Sequence, residues 1–94
     1  MLTSDDYQQI AHMTAIKVVG LIREGWLSPL TIHMTGADDE HILSGSCDEN
    51  GKIQGHDPDA QLLNPNAKFP VTVSISDQNG RTLLLEISEH FSVN

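Results

Sequence analysis

The sequence predicts an α+β fold: one long N-terminal helix packed on an antiparallel sheet of four or five strands, in the order α-β-β-β-loop-β-β. Three observations carry this. Apolar residues recur at helical spacing through the first quarter of the chain, and the period then changes to two. Between the alternating stretches, the pattern Asp-x-Asn-Gly followed by Lys or Arg occurs twice, at Asp48–Lys52 and Asp77–Arg81.

The helix is read from about Ser4 to Glu24. Thr3 is a favourable N-cap, and Asp5 and Asp6 place carboxylates in the first turn, where the helix end is positive. Leu2 and Tyr7 stand at the positions of a hydrophobic staple. The main stripe runs Tyr7, Ile10, Ala11, Thr14, Val18, Leu21, Ile22, and Gly25 sits where a left-handed cap ends the helix. A second apolar side, Met13, Ile16 and Val19, points away from that stripe. Gly20 lies beside it, where the missing side chain permits close approach of another backbone. A helix apolar on two sides is covered on two sides. These four residues are therefore the candidate interface, and a homodimer is the partner they imply.

After the helix, Leu30, Ile32 and Met34 alternate with Thr31, His33 and Thr35 as a half-buried strand. Gly36–Glu40 is a polar turn, and His41–Cys47 returns. Asp48–Gly51 turns again, with Asn-Gly supplying positive φ, into a short strand over Lys52–Gly55. Phe69–Ser76 and Arg81–Ser88 form the last hairpin. Pro29 suits the first residue of a strand, not its middle. Between the hairpins, His56–Lys68 is a loop in which Asp57-Pro58 is able to start one helical turn.

Ninety-four residues make a single domain, residues 1–94, with a modest core. Aromatic residues are few (Tyr7, Trp26, Phe69 and Phe91), so Leu, Ile, Val and Met must fill it. Cys47 is the only cysteine, so no disulfide forms within the chain, as suits a reducing cytoplasm. Neither a targeting segment nor a membrane-length apolar run is read, and the expectation is a soluble, cytoplasmic protein.

The net charge of −8 argues against nucleic-acid binding, which needs clustered Lys and Arg. The acidity concentrates between Gly36 and Asp59, where Asp38, Asp39, Glu40, Asp48, Glu49, Asp57 and Asp59 face only Lys52. Acids decorate turns for solubility alone. Read functionally, they form a negative face for a basic protein partner.

Motifs for known chemistry are absent. The sequence holds no phosphate-cradling glycine loop, no GxSxG, no HExxH and no CxxC. An EF-hand starting at Asp48 fails, because its sixth position is Ile53 rather than Gly. His33 and His41 flank one hairpin turn and can approach across it, but their spacing matches no metal signature, and neither a metal nor a cofactor is assigned. Cys47 beside Asp48 and Glu49 reads as a packing residue, since negative neighbours oppose thiolate formation. Glu86 alternates with Leu85 and Ile87 and should face solvent. Trp26 at the helix–strand junction plugs the core or anchors a ligand.

The leading expectation is a small non-enzymatic interaction module, a homodimer that binds a protein partner. The second is a ligand-binding or enzymatic pocket between helix and sheet, with His33, His56, Asp57 and Trp26 as its polar candidates. The third is divalent-metal binding by the acidic, His-containing middle. No catalytic residue is assigned.

Overall fold

The computed structural model describes residues 2–55 and 67–88. They form a helix, α1 (Ser4–Arg23), and five strands: β1 (Leu30–Thr35), β2 (His41–Cys47), β3 (Ile53–Gly55), β4 (Val71–Ser76) and β5 (Thr82–Ile87). The α+β prediction and its element order hold, and the sheet has five strands.

Both ends of α1 follow from local chemistry. The Thr3 hydroxyl accepts from the Asp6 amide at 3.1 Å, and the Asp6 carboxylate accepts from the Thr3 amide at 2.8 Å. This reciprocal capping box satisfies two orphan donors of the first turn. At the other end Gly25 takes φ +106°, and the Trp26 and Gly25 amides donate to Leu21 and Ile22 carbonyls. The pattern is a Schellman cap, which requires the left-handed residue that glycine supplies. The predicted stripe is the buried one: Ile10, Thr14, Val18 and Leu21 lie in the core, with Tyr7 and Ile22 packed against it. Thr14 is wholly buried, and its hydroxyl donates to the Ile10 carbonyl one turn back at 2.8 Å.

The sheet order is β3-β2-β1-β4-β5, antiparallel throughout. Three neighbours are sequence hairpins; the fourth pair, β1 with β4, brings the two halves of the chain together. Leu30, Ile32 and Met34 of β1 meet Val71, Val73 and Ile75 of β4 beneath the helix, and all six are buried. Each contributes about 1.5–3 kcal/mol relative to an exposed side chain. Strand β4 begins at Val71, two residues later than the alternation of Phe69–Ser76 alone indicates. Pro70 has no amide to give to a ladder.

The second apolar side of α1 divides. Val19 and Ala15 lie over the β2–β3 turn, so that a Cβ on Gly51 would sit 3.5 Å from Val19 Cγ2. Met13 is half-buried, Ile16 is 57% exposed, and Gly20 faces open space. Of the four candidate interface residues, Val19 is thus already engaged by the chain's own turn.

Candidate binding face

The helix covers one side of the sheet. Strand alternation and register fix what stands on the other. One outward row crosses all five strands as Gln54, Ser46, Thr31, Ser76 and Thr82, a second runs Ser44, His33, Ser74, Leu84, and a third includes Thr35, Thr72 and Glu86. The Ser76 and Thr82 hydroxyls bond each other at 3.1 Å. Leu84, on the edge strand β5, is 66% exposed on this face. Glu86, exposed as its alternation predicts, is the one full charge among these residues. A typical soluble surface has about a quarter to a third of its residues charged.

Among the described residues, a β-bulge builds a cluster of chemically active groups on this face. Residues 41 and 44 are three apart, so regular alternation would send them to opposite faces. The register breaks between the pairs Met34–Leu43 and Thr35–His41, inserting one residue into β2. Ile42 is buried and Leu43 half-buried in consequence, while His41 emerges on the same side as His33 and Ser44. His33 Nδ1 lies 2.8 Å from Ser44 Oγ, His41 Nε2 lies 3.0 Å from the same oxygen, and the ring centroids are 5.5 Å apart. A hydroxyl has one proton to give, so when it donates to one ring nitrogen, the other must donate to it. The approach of His33 and His41 was legible from their positions about the hairpin. Ser44 was not, because a bulge leaves no mark in the alternation.

Sequence reasoning grouped Trp26, His33, His56 and Asp57 as a pocket. His33 stands on the outward face, whereas Trp26 is half-buried against the helix-side core with the Arg81 guanidinium 5.3 Å from its ring centre. The structure does not bring these two together, since the sheet lies between them. His56 and Asp57 lie outside the described residues, as do Asp59 and the helical turn considered near them.

Among the described residues, Asp38, Asp39, Glu40, Asp48 and Glu49 sit in the turns at the sheet ends, and several are committed to hydrogen bonds there. Glu40 accepts from the Asp38 amide at 3.0 Å and the Lys68 amide at 3.3 Å, holding the β1–β2 turn against the segment that enters β4. Asp48 accepts from the Asn50 amide at 2.9 Å, and Glu49 from the Ser28 hydroxyl at 2.8 Å. Among the described residues no group of three or more His, Cys, Asp or Glu side chains converges as a metal cage. Cys47 is buried; burial, with the nearby Asp48 charge adding to it, pushes its thiol pKa up. That is the opposite of an activated nucleophile.

No known family matches the sequence, and no curated protein or solved structure shows significant similarity to it. The site stands on its own geometry. No helix among the described residues is long and apolar enough to cross a membrane.

The Ser44–histidine contacts resemble half of a nucleophilic relay, but acyl transfer also needs preorganised donors at the developing oxyanion. Ladder amides lie in the plane of the sheet and are spent on neighbouring strands. Among the described residues, the ladder amides beside Ser44 are paired within the sheet.

Proposed function

We propose that this chain is a small non-enzymatic interaction module that self-associates through the open face of its sheet. One observation supports this above the others: a five-stranded face built largely of Ser and Thr side chains, with Leu84 exposed on its edge strand β5 and only Glu86 charged. Interface cores are depleted in charge, and an exposed apolar side chain such as Leu84 supplies area to bury. The helix side offers less, because Val19 lies over the β2–β3 turn and Met13 is half-buried, leaving Ile16 as its exposed apolar residue.

Light scattering at tens of micromolar tests the reading. A dimer is expected, converted to monomer by Leu84→Glu with the circular-dichroism spectrum retained, and unaffected by Ile16→Glu. Because each copy carries −8, salt should strengthen this association. Salt would instead weaken docking of a basic partner on the acidic turns. A strict monomer at all salt concentrations overturns self-association; a dimer broken only by Ile16→Glu moves the interface to the helix.

A further inference from the structure

We propose that His33 and His41, with Ser44 between them, chelate a borderline divalent cation of the copper, nickel or zinc class on the open face. Two ring nitrogens are aimed at one point, at 2.8 Å and 3.0 Å from a single oxygen. Imidazole suits these ions, and zinc takes a neutral ring nitrogen at about 2.0–2.1 Å. The convergence is imposed by the backbone. His33 and Ser44 are register partners in a central strand pair, and the bulge turns His41 onto their face. Bulges that re-aim a side chain are over-represented beside functional sites.

Entry of the ion requires the Ser44 hydroxyl to withdraw and the two ring nitrogens to close in from 2.8 Å and 3.0 Å. Ser44 is small, and rotation about its χ1 withdraws the hydroxyl from between the rings. The ion takes the lone pairs of His33 Nδ1 and His41 Nε2, so the ring that had donated to Ser44 moves its proton to its other nitrogen, and no net proton is released. Both histidines are exposed, so water fills the remaining coordination positions. Magnesium and calcium are excluded by class, since they require oxygen ligands.

Zinc titration followed by NMR of the histidine side chains tests this in the full chain. Zinc is expected to shift the ring resonances of His33 and His41 together at a single stoichiometric end point, whereas magnesium leaves them in place. Affinity should fall about tenfold or more in both His33→Ala and His41→Ala. Both side chains are exposed, so these variants are expected to keep the wild-type circular-dichroism spectrum without metal. Unmoved ring resonances at millimolar zinc overturn the proposal, and so does affinity that survives both substitutions, which places the ion elsewhere. Light scattering in chelator keeps the test of self-association separate.

Discussion

Two turns of this molecule share one sequence pattern and do different work. Asp48–Lys52 joins β2 to β3 and Asp77–Arg81 joins β4 to β5, each reading Asp-x-Asn-Gly and then a base. Locally they are alike. In each the glycine amide donates to the aspartate carbonyl, at 3.0 Å and 3.2 Å, and aspartate Oδ1 accepts from the asparagine amide, at 2.9 Å and 3.0 Å. The glycines take φ +74° and +85°. Beyond that they diverge. The Asp77 carboxylate is buried and also accepts from the Leu27 amide at 3.2 Å, the Arg81 amide at 2.9 Å and Arg81 Nε at 2.9 Å. Arg81 continues to the Gly25 carbonyl at 2.6 Å and over the Trp26 ring, and Gln78 donates to the Pro29 carbonyl at 2.9 Å. The second turn thus clasps the whole helix–strand junction from Gly25 to Pro29. Lys52, with a point charge in place of a fork of donors, cannot repeat what Arg81 does. Sequence sets the turn; the neighbouring segment decides whether it becomes a hub.

The largest effect that tests this contrast comes from removing each aspartate. Asp77→Ala leaves the Leu27 and Arg81 amides without their acceptor and releases the guanidinium. A fall in melting temperature of about 10 °C or more is expected. Asp48→Ala removes one exposed turn bond and should cost only a few degrees, about 2–5 °C. Equal losses in thermal melts followed by circular dichroism would break the comparison.

Acid sharpens it. Burial of the Asp77 carboxyl raises its pKa, and the hydrogen bonds from the Arg81 amide, the Leu27 amide, the Arg81 side chain and the Asn79 amide outweigh that, so the group titrates below its ordinary value of 3.8. A carboxyl depressed by folding gives stability that is fully present above the unfolded value and is lost as pH falls through the folded one. The stability gap between the wild type and Asp77→Asn should therefore shrink as pH is lowered from about 5 to about 2. A constant gap for Asp77→Asn would mean that the carboxylate charge contributes nothing to the hub.

What was legible in the sequence was local. The cap at Thr3, the buried stripe through Val18, the change of period at Leu30 and both Asn-Gly turns are settled by residues within a few positions of each other. What was not legible depends on partners distant in the chain. Insertion of β4 beside β1 puts Asp77 next to Leu27, fifty residues away, and no pattern in either segment announces it. The bulge that lifts His41 beside Ser44 is a one-residue change of register with no sequence signal of its own. The second apolar side of the helix is a pattern of the sequence, but that Val19 meets the β2–β3 turn of its own chain is not.

The smallest effect isolates the local part of the two turns. A Cβ on Gly51 would meet Val19 Cγ2 at an ordinary 3.5 Å, and one on Gly80 would meet nothing within 4 Å. Neither substitution by alanine is blocked by space, so the cost at both sites is the left-handed backbone alone, about 1–2 kcal/mol. Gly51→Ala and Gly80→Ala should therefore destabilise to nearly the same extent in urea unfolding, despite the difference between their aspartates. If Gly80→Ala proves much the costlier, the hub must depend on the turn keeping its shape as well as on the carboxylate it presents. The loss should then be non-additive with Asp77→Ala in the double variant, since a turn already stripped of its acceptor has no clasp left to distort.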